Sequence, residues 1–407
     1  MTRSGKATSP VSRRHFLHGA GAALIAAPAA AATVELPLLG GPTQRALTTE
    51  FPQKKQMILQ RTRPPLLETP LDVFDQGVFT PNDRFFVRWH WSLIPDAIDI
   101  PTYRLAVRGA VDRPQSLSMA DILALPRVEL AAVNQCSGNS RGFFSPPVAG
   151  AQWANGAMGN AKWAGVRLRD VLDRAGVKAG ALAVRFNGLD QPVAPGAPDF
   201  IKSLALDHAR DGEVMLAYQM NGEQLPWLNG FPLRLVVPGW YSTYWIKMLS
   251  DIEVLATPDD TYWMKSAYRI PDTPRASVAP GQAGFATVPI NRMVPRSFFT
   301  NVTDATTVRP GAPVPLRGIA FGGDCGVAKV ELSADAGGTW HPTLLGPDEG
   351  PYSFRQWTAP ANAPASGALT LLARCTNTSG EAQPDAPNWN GGGFMRNVIE
   401  RVRLTVV

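Results

Sequence analysis

At 407 residues the chain is longer than one ordinary core supports, which points to two or three domains. Its 45% hydrophobic and 18% charged content is that of a globular protein, not of a disordered or membrane-embedded one. The formal charge of +6 shrinks once Arg3, Lys6, Arg13 and Arg14 are set aside, since 35 basic residues then face 33 acidic ones, and nothing indicates a nucleic-acid partner.

Those four charges open a leader, residues 1–32. Ser12-Arg13-Arg14-His15-Phe16-Leu17 resembles a twin-arginine signal, and Ala30 and Ala32 suit cleavage before Thr33. The Ala/Gly-rich stretch from Phe16 is too short for a membrane anchor and is broken by Pro28. The expectation is a protein exported folded to the periplasm, without a membrane span in its mature form and able to carry a complex cofactor.

Residues 50–75, rich in Pro and Gln, read as an irregular wrapping segment. DRFFVRWHWS, 83–92, reads as a strand with Arg88 and His90 on one face. SMADILAL (118–125) and GVRLRDVLDRAG (165–176) read as short helices, the second ending at Gly176. LAVRFNG (182–188), VMLAYQM (214–220) and PLRLVVPG (232–239) read as strands, so the first domain is mixed α/β without regular alternation. The five prolines of 269–295 suggest an interdomain connection. In VAKVELSAD, Ala328, Val330 and Leu332 alternate with polar residues, and in VIERVRLTVV so do Val402, Leu404 and Val406. With a Gly337-Gly338 turn and almost no helical signal, the last 115 or so residues read as a β-sandwich.

The chain has three cysteines, Cys136, Cys325 and Cys375, and outside the leader three histidines, His90, His208 and His341. No C-x-x-C-H is present for a covalent haem, and no paired C-x-x-C for structural zinc or an iron–sulfur cluster. Cys325 and Cys375 can pair in an oxidising compartment. Cys136 lies in VNQCSGNSRG among small and polar residues, a setting unlike that of a packing cysteine. It joins Arg88, Arg141, His90 and Tyr268 of SAYRIP in an unusual set. Singly, each has a bland reading: surface arginines, a satisfied imidazole, a packed tyrosine. Together, a soft thiolate and guanidinium groups suit oxyanion redox chemistry at a metal.

In FFVRWH, VNQCSGNSR, MLAYQMNGEQLPWLNGFPLRLVVPG, WIKML and the Tyr268 segment, in that order, the chain resembles the sulfite oxidase family of molybdenum enzymes. Within it the likeness is to bacterial periplasmic sulfite dehydrogenase subunits that work with a cytochrome c. The resemblance implies an α+β architecture: a mixed α/β molybdopterin-binding catalytic domain over 33–285 including the wrapping segment, then an immunoglobulin-like, dimerisation-type β-sandwich over 286–407. It implies molybdenum with one molybdopterin, no haem on this chain, and Cys136 as protein ligand to the metal. Arg88 and Arg141 would stand at the oxyanion pocket with Tyr268 near the reacting oxygen, while His90, Asp190, Asn229, Arg234, Ser242 and Lys247 would contact the pterin and its phosphate. Asn229 departs from the family's frequent histidine. Gly392 stands where many members carry a substrate arginine, and Arg396 is the candidate to supply that charge. The implied partners are sulfite and a separate cytochrome c, in a heterodimer with the cytochrome or in a homodimer. A methionine sulfoxide-type molybdopterin reductase lacks the sandwich, nitrate reductase carries haem and flavin modules, and a non-enzymatic periplasmic binding protein would hold no molybdenum.

Overall fold

The computed structural model describes residues 32–407, so the expected leader lies outside the described residues apart from Ala32. Five short antiparallel strands pair in chain order: β1 (Thr33–Glu35), β2 (Gln44–Thr48), β3 (Met57–Arg61), β4 (Leu66–Glu68) and β5 (Val87–Arg88). There follow β6 (Leu105–Gly109), β7 (Gln115–Leu117), helix α1 (Met119–Leu123), β8 (Arg127–Gln135), β9 (Met158–Arg167), helix α2 (Leu168–Ala175), β10 (Ala183–Gly188) and β11 (Lys202–Ala205). β12 (Met215–Met220), β13 (Glu223–Gln224), β14 (Arg234–Val236) and β15 (Leu249–Leu255) complete two sheets. One runs β11-β10-β15-β6-β7; the other runs β13-β12-β9-β8 with β14 on β12.

Local chemistry explains these elements. Ser118 and Asp121 close a reciprocal capping box at the start of α1, satisfying donors a helix start leaves free. Leu168, Val171, Leu172 and Ala175 place the buried face of α2 at helical spacing, and Gly176, at φ +71°, ends it. Strand β9 is buried on both faces, which requires small residues where other segments cross. A Cβ on Gly159 would lie 2.5 Å from the Phe85 ring. That gap lets the Phe85–Phe86 segment lie against the sheet and carry Arg88 toward the cysteine loop.

Beyond a ribbon of β16 (Arg269–Pro271) and β17 (Thr287–Pro289) come β18 (Arg296–Phe299), β19 (Thr307–Val308), β20 (Pro313–Phe321), β21 (Val327–Ser333), β22 (His341–Pro342), β23 (Leu344–Leu345), β24 (Arg355–Asn362), β25 (Ala368–Asn377) and β26 (Glu400–Val406). Sheet β18-β20-β24-β23 faces sheet β19-β26-β25-β21-β22 across one core, in which Leu316 and Trp357 meet Val330, Leu371 and Leu404. This is the expected sandwich.

Four expectations need correction. The strand over 83–92 shrinks to Val87–Arg88 behind a short 3-10 turn, because β5 is an edge strand that pairs only with β4 and the chain then leaves to stack His90 on Phe200. The segment 50–75 is not irregular throughout, since it holds β3 and β4, which pair antiparallel. Ala328 is exposed, because a bulge between Val327 and Lys329 breaks the alternation read there. Cys325 and Cys375 are free thiols: the Cys375 thiol lies near the Phe321 carbonyl oxygen and that of Cys325 near the Ser379 hydroxyl. The chain unfolded without reductant therefore titrates as three thiols with a thiol-specific reagent; a count of one would establish a disulfide.

Candidate active site

Cys136 follows the last residue of β8 and is held by backbone on both sides. Its N–H donates to the Ala157 carbonyl (2.9 Å) and its own carbonyl accepts from Asn139 N (2.9 Å). Asn139 ties the turn to β9, accepting from Ala157 N at 2.9 Å and donating to the Asn155 carbonyl at 3.1 Å. Ser140 takes the left-handed conformation, φ +68°, and so turns the chain into Arg141. A Cβ on Gly138 would lie 2.6 Å from Arg141 Cζ, so the small residues of the loop are there for close approach.

Cys136 opens on a cavity whose walls include Arg88, His90, Asn134, Asn229, Arg234, Ser242, Thr243, Lys247 and Tyr268. Among the described residues no Asp or Glu lines it. Arg234 is buried between Trp163 and Trp245, 4.9 and 5.6 Å from their ring centres, and burial pushes its pKa down to about 9. Lys247 lies 4.4 Å over the Trp89 ring, its pKa lowered by burial and by Arg234 and raised by Asp190. Asp190 is not in the wall: it stands behind as the counter-charge of Lys247, its own pKa raised by burial. Four buried polar atoms of the wall have no partner: Arg88 Nη1, Arg234 Nε, Asn134 Nδ2 and Thr243 Oγ1. Unpaired donors converging with three cations on one cavity make a site for an anion.

Tyr268 sits at φ +52°, its ring stacked on Phe394 and its hydroxyl 2.5 Å from His90 Nε2. Burial first, then Arg88, Lys247 and Lys202, hold the His90 pKa well below 6.5, so its imidazole is neutral and can accept the phenol's proton in a hydrogen bond. Arg141 lies behind the cysteine loop, not in the wall. Its guanidinium donates to the Gly392 carbonyl (2.8 and 3.2 Å) and the Ala151 carbonyl (3.3 Å). Arg396 is not in the cavity at all. Its guanidinium pairs with Glu400 four residues on (2.8 Å) and faces Phe143, beside a separate groove. The expected substrate role of Arg396 is therefore corrected: the Glu400 pair holds its charge away from Cys136, and Gly392 contributes a carbonyl to Arg141 instead.

The structure adds residues the sequence did not flag. Arg296, fully buried at the start of the sandwich, donates to Ser140 Oγ (3.0 Å) and to Glu400 (2.8 Å), clamping the cysteine loop. Lys202 donates to the Trp263 carbonyl (2.7 Å) and lies 5.7 Å from the Tyr268 ring centre. Lys54 reaches the side chain of Asn229. None had a local signal; Lys54 and Lys55 look alike in sequence, and only one is buried.

Comparison with known proteins agrees with this geometry. Residues 91–263 match the oxidoreductase molybdopterin binding domain, and residues 287–407 the Mo-co oxidoreductase dimerisation domain. The chain is 32% identical over 358 residues to the sulfite oxidase of Gallus gallus, covering 82% of this chain and 74% of that one. It is 35% identical over 361 residues to the mitochondrial sulfite oxidase of Rattus norvegicus, covering 85% of this chain but 65% of the relative's length. The crystal structure of the sulfane dehydrogenase SoxCD from Paracoccus pantotrophus matches with a TM-score of 0.73 at 22% identity, over 96% of this chain and 94% of that one, which shows a common fold. The matched domain implies a molybdenum–molybdopterin cofactor, and the residues present fit it. The orphaned donors and cations suit an anionic pterin, and the one cysteine in the wall is a soft donor. Among the described residues no cluster of three or more His, Cys, Asp or Glu is placed to hold a metal.

Two outcomes follow from this charge arrangement. Burial holds Lys54 and Lys202 near pKa 7, against 10.5 for the unfolded chain, so above pH 7 the unfolded state binds more protons. The cofactor-free protein should gain stability from pH 7 to 9, by at most about 1.4 kcal/mol per pH unit for each lysine, as read in urea unfolding midpoints. Arg296→Met strips Ser140 and Glu400 of a buried partner and should cost about 3 kcal/mol by the same measurement.

Proposed function

The chain belongs to the sulfite oxidase family of molybdenum oxidoreductases, and from that premise we propose that it is a sulfite dehydrogenase. In this reading it oxidises sulfite to sulfate with oxygen from water, releasing two protons and passing two electrons, one at a time, to a separate cytochrome c. The leader motif supports export in folded form to the periplasm, and the sandwich provides a surface for a second copy or for the cytochrome subunit. The observation that carries the reading is the cavity shared by the Cys136 thiol and the unpartnered Nη1 of Arg88.

When bound, the molybdenum group accepts the electron pair of sulfite and supplies the oxygen that is transferred. The chain's part is to bind, orient and hold protons. The Cys136 thiolate would hold the metal, with its loop pinned by Asn139 and Arg296. Arg88 offers a charge-assisted donor, its buried and unpartnered Nη1, to a sulfite oxygen, which offsets oxyanion charge and fixes the approach. The Tyr268 hydroxyl, hydrogen-bonded to neutral His90 Nε2, can pass or receive a proton as the oxyanion and the metal change charge. Arg234, Lys247, Ser242 and Asn229, which line the same cavity, would hold the pterin, with Asp190 behind Lys247. Arg141 positions the cysteine loop from behind.

Purified holoprotein should contain molybdenum and reduce cytochrome c only when sulfite is added; a protein without molybdenum would be a binding protein instead. Cys136→Ser should abolish turnover while pterin remains bound, because a hydroxyl is a poor substitute for the soft donor. Arg88→Met should raise KM for sulfite roughly tenfold to hundredfold at unchanged molybdenum content, as expected for loss of a charged hydrogen bond of about 1.5 to 3 kcal/mol. Steady-state kinetics with an unchanged kcat/KM would place Arg88 outside the substrate site.

A further inference from the structure

We propose that Lys54 is a positioning residue for the anionic cofactor, acting through the carboxamide of Asn229; the inference rests on the reading above that the Cys136 cavity holds a molybdopterin. Lys54 lies in the turn after β2, and only 3% of it is exposed. Its three ammonium donors go to the Asn82 carbonyl (2.6 Å), the Phe85 carbonyl (3.0 Å) and Asn229 Oδ1 (2.6 Å). All three acceptors are neutral. The acid that acts on it, Asp83, pairs with the exposed neighbour Lys55 at 3.1 Å. A buried ammonium without a contacting carboxylate is costly, and burial accordingly lowers its pKa to about 7, a shift that the charge of Arg234 adds to and that of Asp83 opposes. An anion in the cavity is the charge this ammonium lacks.

The route from Lys54 to that anion is short. Asn229 lines the cavity, receives Lys54 on Oδ1, and gives one N–H of Nδ2 to the Phe86 carbonyl (3.0 Å). A cation bound to the amide oxygen draws electron density from the nitrogen, so the second N–H is a stronger donor toward an anion. The same bonds fix the walls against each other. Lys54 and Asn229 join the Phe85–Phe86 segment leading to Arg88 with the turn whose Asn229 carbonyl accepts Arg234 Nη1 at 2.8 Å. Lys54 thus sets the spacing of two cavity cations without lining the cavity.

The test measures release of molybdopterin from the holoenzyme, followed by fluorescence of the oxidised pterin, alongside thermal unfolding. Four proteins are compared with wild type: Lys54→Met, Lys54→Gln, Asn229→Leu and the Lys54→Met/Asn229→Leu double variant. Each single variant should release the pterin about tenfold faster, as for loss of an outer partner of a bound metal group. The double variant should release it no faster than the worse single, because the two residues act in one chain. Lys54→Gln keeps a donor in the buried turn and carries the measurement if Lys54→Met does not fold. Folded Lys54 variants that release pterin at the wild-type rate, whatever their melting temperature, overturn the proposal, as do single effects that multiply in the double variant. Wild-type protein that never holds molybdopterin would instead defeat the functional reading.

Discussion

The structure turns on positive charge concentrated around one thiol. Arg88, Arg234 and Lys247 face the cavity into which Cys136 opens, with Lys54 and Lys202 buried near it; among the described residues no acid lines that cavity, and Asp190 stands behind a lysine. Cations crowded together and removed from water are unfavourable unless their donors are used. Aromatic packing meets part of that cost: Arg234 lies between two tryptophans, Lys247 on a third, Lys202 over Tyr244. The unpartnered donors mark the part that protein atoms leave unmet, and an anionic cofactor has the charge to meet it.

The sandwich takes part in this site. Arg296 holds Ser140, Met395 N donates to the Ser137 carbonyl at 3.1 Å, Arg141 reaches the Gly392 carbonyl, and Phe394 stacks on Tyr268. Four contacts from the C-terminal half therefore converge on the loop that carries the thiol and on the tyrosine opposite it. These contacts come from β18 and from the turn at Met395, where φ is +61°.

Local pattern made much of the fold legible. The α2 face, the Ser118 cap and the alternation of Val402, Leu404 and Val406 depend on neighbours a few residues away, and the elements appear where those patterns lie. The misreadings have causes at longer range. The alternation in VAKVELSAD is interrupted by a bulge whose origin is the pairing with β25. DRFFVRWHWS has strand composition, yet β5 has one partner strand and its chain departs after Arg88. Arg88 and His90 still line one cavity, Arg88 from β5 and His90 from the segment that leaves it.

By itself the sequence determined the thiol in its small-residue turn, the order of the motifs, the absence of a haem-attachment site, and a sandwich after a mixed α/β domain. Each is carried by residue type or by spacing along a short stretch of chain. Tertiary structure alone decided that Arg396 turns to Glu400, that Arg141 backs the loop, that Cys325 and Cys375 stay free, and that Lys54, not Lys55, is buried against Asn229. Those outcomes depend on groups far apart in the chain, 156 positions from Ser140 to Arg296 and 175 from Lys54 to Asn229. Burial and charge compensation are properties of the assembled neighbourhood, and no local pattern encodes which of two adjacent lysines will be enclosed.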